Sequence, residues 1–445
     1  MRTLPMIAQT LGHAGTIAGL LVGAVHGPPL HAQATAMTLT EAIARGRSNG
    51  VRGALARLSA QSVDARRALR GSDFLPSVTG SAVMVRQTVN LTEFGLSFPG
   101  APDVTDPFTV YRFRLGAEQL LFSLSTLERL RAAKDTAIAA GLDAGRVGDI
   151  GAAAAGAAWL RLASAEEIVH ARTADSVTAQ ALLDIARALV DAGTAPRIDR
   201  TRTETQVAAG RSRMAVARNE RDRAQLDLAR ALDLPVTTSI KTAGDPAFAL
   251  GAMPADIDSA VALAKARRQD LAAERQRTTV LRRNLRAIKD EFYPSLGLTA
   301  ALGTSGVGLD QLGHTWNVGL GLSWPLFDGL RRERRVDEQR IRIDAQQLRL
   351  RDLESQVEVE ARQAALDIAS ARDQILIAQE RLRLAEQELQ EARERFAAGV
   401  AGSVETTTAQ ADVTTARDVL IQARIAAAAA QVSAARALGL LDQVR

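Results

Sequence analysis

Cysteine is absent from all 445 residues. That excludes disulfides, thiolate metal sites, cysteine nucleophiles and a lipidated cysteine anchor. Aromatic residues make up only 3%, with two tyrosines and three tryptophans, fewer rings than an enzyme core usually packs. Five scattered histidines give no metal-ligand spacing, so no metal and no cofactor is expected. No run of 18 apolar residues follows the N-terminal region, which leaves no candidate for a membrane-spanning helix. Proline is missing from Phe108 to Ala195 and from Leu326 onward. Proline is the main helix breaker, so both stretches can hold very long helices. No nucleophile–base pair or glycine-rich phosphate loop is visible, and no enzyme is expected.

Alanine, arginine, leucine, glutamine and glutamate are abundant instead, the composition of long helices and coiled coils. The formal charge of +5 is a small imbalance against 55 basic and 50 acidic side chains. The two signs are interleaved along the helical stretches, without a basic stripe carrying aromatics, so no nucleic-acid partner is expected. The N-terminus reads as an export signal. Arg2 supplies a positive start, Thr16 to Val25 a short apolar stretch, and Ala32-Gln33-Ala34 a cleavage site, giving a signal peptide over 1–34.

The chain repeats itself. Leu75-Pro-Ser-Val78 recurs as Tyr293-Pro-Ser-Leu296, 218 positions later. Ala192-Gly193 recurs as Ala398-Gly399, and Ala231-Leu-Asp-Leu234 as Ala437-Leu-Gly-Leu440, both 206 positions later. The expected division is a first repeat over 35–232, a linker over 233–255 and a second repeat over 256–445. Each repeat reads as helix, strand, loop, strand, very long helix, tight turn and helix. The helices carry a heptad. Ala361, Ala364, Ile368, Ala371, Ile375, Ala378, Leu382, Ala385, Leu389, Ala392 and Phe396 step by three and four without a break. The first repeat echoes this from Ala155 to Val190, less cleanly at Arg172 and Ser176. A helix from Gly329 to Ala398 would be about 105 Å long. Two shorter helices, Asp256 to Phe292 and Ser403 to Leu438, would together match it.

Four short segments alternate with period two. The clearest is Trp316 to Trp324, with Trp316, Val318, Leu320, Leu322 and Trp324 on one face and Asn317, Gly319, Gly321 and Ser323 on the other. Tyr111, Phe113 and Leu115 likewise oppose Arg112, Arg114 and Gly116. An apolar face, a polar or small face and aromatics near the ends form the pattern of a transmembrane barrel. Tyr111, Phe113, Trp316 and Trp324 are the expected membrane-interface aromatics, in contact with outer-membrane lipid. Arg112 and Arg114 then belong on the lumenal side. Four strands cannot close a barrel, and open edges are intolerable in lipid, so the chain must oligomerise.

With these residues in hand the chain resembles the TolC-type outer-membrane efflux proteins along nearly all of its mature length. The resemblance rests on the duplicated halves, on Tyr293-Pro-Ser-Leu296 and on Trp324-Pro-Leu-Phe-Asp-Gly329. It also rests on the two turns, Ala192 to Asp199 and Phe396 to Glu405. It implies a mostly α fold with a small β part. In that fold a homotrimer builds a twelve-stranded transmembrane β-barrel, continued by an α-helical coiled-coil tunnel in the periplasm. It further implies a passive duct of a tripartite efflux or type I secretion system, in the outer membrane of a Gram-negative bacterium. The implied partners are a periplasmic adaptor (a membrane fusion protein) and an inner-membrane pump. Gly193, Thr194, Pro196, Gly399, Gly402 and Ser403 fall at the hairpin tips, where adaptor contact is implied. Asp199 and Glu405 each follow a tip glycine by six positions and match the family's gate acids. Acids there also favour a helix N-terminus electrostatically. Gln119 to Leu124 lacks the family's Pro- and Gly-rich corner. The competing reading is a periplasmic coiled-coil adaptor or scaffold, although an adaptor has one helical hairpin flanked by β-rich domains.

Overall fold

A computed structural model describes residues 35–95, 99–100, 102–244 and 256–441. The segment expected to be a signal peptide, part of the loop before Pro107 and residues 245–255 of the expected linker lie outside the described residues. The first repeat opens with a short strand β1 (Thr35–Met37), then α1 (Leu39–Asn49) and α2 (Val51–Gly71). Strands β2 (Ser77–Gln87) and β3 (Phe108–Phe122) follow, then helices α3 (Leu124–Asp191) and α4 (Arg197–Ala231). A short strand, β4 (Ile240–Thr242), precedes the second repeat. That repeat runs α5 (Ile257–Arg267), α6 (Gln269–Asp290), β5 (Ser295–Gly306), β6 (Gly313–Ser323), α7 (Arg331–Ala397) and α8 (Ser403–Ala437). The fold is mostly helical with a minor strand component.

The two very long helices contain 68 and 67 residues, each about 100 Å at 1.5 Å per residue. In α7, the alanines of the heptad between Ala361 and Ala392 are buried, as are Leu389 and Phe396. Ile368, Ile375 and Leu382 pack partly buried beside them. Alanine removes side-chain bulk, so α8 lies close along α7 through Ala409, Val413, Ala416, Leu420 and Ala423. The weaker heptad of α3 has a physical cause at Arg172. Its guanidinium donates to Asp175 at 3.1 Å and also to Asp418 of α8. Arg417 of α8 reaches Asp175 at 2.9 Å. At that level the seam joins the two repeats by charge rather than by apolar packing.

The helix expected over Asp256 to Phe292 is two helices. Arg268 is extended, with φ −66° and ψ 124°, and separates α5 from α6. The same break occurs 218 positions earlier, where Gly50 (φ −58°, ψ 136°) separates α1 from α2. Neither break carries proline, which is why the sequence pattern hides them. Arg268 is held by Asp270 at 2.6 Å and by Glu360 of α7. Burial works to raise the Asp270 carboxyl, but the Arg268 guanidinium and the Leu271 amide outweigh it and hold it below the usual range.

The mid-length core was also hidden in the sequence. Strand β1 pairs in parallel with β4, tying residues 35–37 to the inter-repeat segment. Beneath them Trp159 is fully buried, and its indole N–H donates to the Met37 carbonyl at 2.8 Å. Ile43, Leu162, Leu228, Leu232 and Val432 complete this cluster, so α1, α3, α4 and α8 converge on it. Close approach of α1 to α3 depends on Gly46, where an added Cβ would lie 2.3 Å from the Ala155 Cβ and 2.9 Å from the Gly151 carbonyl oxygen.

Gly46→Val should therefore destabilise the chain by about 1–3 kcal/mol through overpacking. Circular dichroism should show this as a lowered thermal midpoint. An unchanged midpoint would mean that α1 does not sit against α3.

Candidate channel sheet and hairpin tips

The four long strands form one antiparallel sheet in the order β2-β3-β5-β6. The β3–β5 pairing joins the two repeats, and β2 and β6 are its edges. Directly paired residues share a face, so the register assigns each side chain. Gly80, Leu115, Leu302 and Trp316 form one row, and Val78, Ala117, Ala300 and Val318 the next. Gln119, Leu298 and Leu320 continue the same face, as do Phe122, Leu296 and Leu322. On the opposite face lie Ser81, Arg114, Gly303 and Thr315, then Thr79, Gly116, Ala301 and Asn317, then Ser77, Glu118, Thr299 and Gly319. One face is thus apolar and the other polar or small.

Tyr111, Phe113 and Trp316 all stand on the apolar face, and Trp316 is 76% exposed. Trp324 lies one residue past β6 and is exposed, with its indole N–H donating to the Phe292 carbonyl at 3.0 Å. Val318, Leu320 and Leu322 between them are also exposed. The segment Ser77 to Val85, which alternates poorly in sequence, is the edge strand β2. Val83 and Val85 fall on the polar face of its upper end.

The unusual corner in the first repeat is resolved by the strand itself. Strand β3 continues through Gln119 to Phe122 with an irregularity between Leu120 and Phe122, and a single residue, Ser123, turns the chain into α3. The Ser123 hydroxyl oxygen accepts from the Thr126 amide at 3.2 Å. The second corner is longer. Gly329 and Leu330 are left-handed (φ 74° and 64°), and the Asp328 carboxylate accepts from the Arg331 amide at 3.1 Å.

At the far ends of α3 and α7 both turns have the same construction. Gly193 and Gly399 are left-handed, with φ 75° and 72°. Gly193 N–H donates to Val190 O at 3.0 Å, and Thr194 N–H to Leu189 O at 2.9 Å. Gly399 N–H donates to Phe396 O at 3.0 Å, and Val400 N–H to Arg395 O at 3.0 Å. This paired pattern closes a helix with a glycine at the first residue beyond it. Pro196 then starts α4 and Gly402 starts α8, neither with a side-chain cap. Thr194, Pro196, Gly399 and Gly402 are at the turns, where the sequence locates them.

The two acids are equivalent in sequence but differ in structure. Asp199 is only 4% exposed. Its carboxylate crosses to the other repeat and accepts from both the hydroxyl and the backbone N–H of Ser403, the latter at 3.3 Å. Ser403 is fully buried. The Ser403 hydroxyl, expected among the tip contacts, turns inward to Asp199. Glu405 is exposed and pairs with Arg395 across its own turn at 3.1 Å. The Asp199–Ser403 link joins residues 204 apart, and no local pattern signals it. Among the described residues, no cluster of histidine and acidic side chains could hold a metal ion. No described helix is long and apolar enough to cross a membrane.

Residues 260–440 match the family model described as outer membrane efflux protein. No curated protein matches this chain in sequence. The solved structures it resembles include the CmeC outer membrane channel of Campylobacter jejuni, at 18% identity and TM-score 0.75, covering 90% of this chain and 85% of that one. The outer membrane protein VceC of Vibrio cholerae is similar at 16% identity and TM-score 0.76, with 90% and 96% covered. The open-state MtrE outer membrane channel of Neisseria gonorrhoeae is similar at 19% identity and TM-score 0.74, with 90% and 89% covered.

Removing the acceptor from buried Ser403 should cost about 1–3 kcal/mol. Asp199→Ala should speed amide exchange in the first turns of α4 and α8, while Glu405→Ala leaves those amides protected. Equal protection in both variants would mean that Asp199 does not hold the tips together.

Proposed function

We propose that this chain, whose residues 260–440 match the family model described as outer membrane efflux protein, is the outer-membrane channel of a tripartite efflux or type I secretion system. It acts as a passive duct rather than an enzyme. The observation that carries this reading is the two-faced sheet continued by helices of about 100 Å. The apolar face suits lipid and the polar face suits a water-filled lumen.

The sheet's edges argue for the assembly. Strands β2 and β6 end the sheet with unpaired backbone groups, which lipid does not tolerate. Pairing β6 of one copy with β2 of the next satisfies them. Three copies give twelve strands, enough to leave a channel rather than a packed core. A second surface points the same way. Ile341, Leu348, Val359, Leu366, Ile377 and Leu384 are exposed along α7 at alternating steps of 7 and 11 residues. These steps sum to 18, five turns of 3.6 residues, so the six side chains form one straight stripe about 65 Å long. In the proposed trimer this stripe packs against the neighbouring copy as part of a helical tunnel through the periplasm.

The proposed division of the chain is a signal peptide over 1–34, repeats over 35–232 and 256–445, and a linker over 233–255. Tyr111, Phe113, Trp316 and Trp324 are the proposed interface aromatics. The turns at Gly193, Thr194, Pro196, Gly399 and Gly402 are the proposed contact with a periplasmic adaptor, itself coupled to an inner-membrane pump. At the narrow end, Glu405 would supply a ring of three carboxylates that attracts cations. Asp199 would hold the two turns in register behind it.

Single cysteines test the topology, because the native chain has none. With a membrane-impermeant maleimide, Gly308→Cys in the β5–β6 loop should react on intact cells. Thr194→Cys should react only after the outer membrane is permeabilised. The reverse pattern, or no reaction at Gly308→Cys on intact cells, contradicts the proposed orientation.

A further inference from the structure

Charges are scarce in the sheet, and their placement is uneven. Strand β5 carries none, and β6 carries only His314 as a titratable group. Arg86 of β2 and His314 both fall on the apolar face, beside Thr109 and Thr304. On the polar face β3 supplies everything: Arg112, Arg114 and Glu118. Both arginines are exposed, and among the described residues neither forms an ion pair. Their cross-strand neighbours are small or uncharged. Ser81 and Gly303 flank Arg114, with Thr315 beyond, and Val83 and Ser305 flank Arg112, with Gly313 beyond. Glu118 is four residues along the strand from Arg114, about 13 Å away. That is farther than a Debye length of roughly 8 Å at physiological salt.

Two arginines two residues apart on one strand, on the same face, have Cα atoms about 7 Å apart, so their guanidinium groups are close neighbours. They repel unless water or an anion lies between them. Small neighbours leave the side chains free to extend away from the sheet. A guanidinium is always charged, and its planar fork matches an oxyanion through paired hydrogen bonds.

We propose that Arg112 and Arg114 form a basic collar in the barrel lumen that attracts oxyanions, carboxylates and phosphates, during their passage through the outer membrane. The inference rests on the trimeric channel reading above. In that assembly the collar holds six guanidinium groups in two adjacent rings. A low-dielectric wall around a water-filled lumen concentrates their field and raises the local anion concentration. The collar is opposite in sign to the proposed Glu405 ring, which lies at the far end of the long helices.

The test uses the purified full-length channel in planar bilayers, with citrate as the oxyanion probe and tetraethylammonium as a cationic comparison. Citrate added from the barrel side should reduce the wild-type current. The double variant R112Q/R114Q should need a concentration higher by about tenfold for the same block, in line with the loss of focused charge. Block by tetraethylammonium from the tip side should be unchanged. The variant R112K/R114K keeps the charge but loses the fork, so its citrate block should weaken only in part. Should the double variant fail to assemble, R114Q alone should show the intermediate block. A conducting wild type that barrel-side citrate does not block, or equal block of wild type and R112Q/R114Q, overturns the collar and leaves the channel reading standing. Absence of any conductance from inserted wild-type protein overturns the channel reading itself.

Discussion

Unpaired backbone groups along β2 and β6 are the constraint on which the rest of the structure depends. A four-stranded sheet has two open edges, and a β-sheet in lipid cannot leave its N–H and C=O groups without partners. The apolar face of this sheet presents Val78, Leu115, Leu302, Trp316, Val318, Leu320 and Leu322, a surface that water disfavours. In the proposed channel lipid covers that face, but only closure covers the edges. On the reading proposed here the subunit is a fraction of a barrel, and its function follows from completing it.

The helices meet the same demand by different chemistry. A helix satisfies its own backbone, so the long helices need only a side-chain seam. Within the subunit that seam is alanine-rich, which brings α8 close along α7. The opposite side of α7 leaves its straight apolar stripe exposed, and the assembly proposed here covers it. The cluster around Trp159 keys the helices midway along their length. The turns at Gly193 and Gly399, tied by Asp199 and Ser403, fix them at one end. Pinning at the middle and at the tips suits the duct proposed here.

Much of this was legible in the sequence because duplication and periodicity are local signals. The offsets of 206 and 218 locate both hairpins and both strand pairs. Period-two alternation marks β6 sharply and β2 poorly, because Val83 and Val85 sit on the polar face where the pattern asks for polar residues. The breaks at Gly50 and Arg268 stayed hidden because each is a single extended residue without proline. The strand β1, which pairs with β4 across about 200 residues of chain, also had no local signature. At the tips, sequence equivalence suggested equal roles for Asp199 and Glu405. Contact between repeats separates them, since Asp199 finds Ser403 whereas Glu405 meets Arg395 of its own turn.

The claim that the subunit is one third of a barrel is tested most directly at the two edges of its sheet. Thr79→Cys on β2 and Gly319→Cys on β6, in a chain with no other cysteine, allow outer membranes to be treated with a short bifunctional thiol reagent. The account predicts covalent species of one, two and three subunits, with none larger. A product confined to monomer, or a ladder that runs past three, would contradict it.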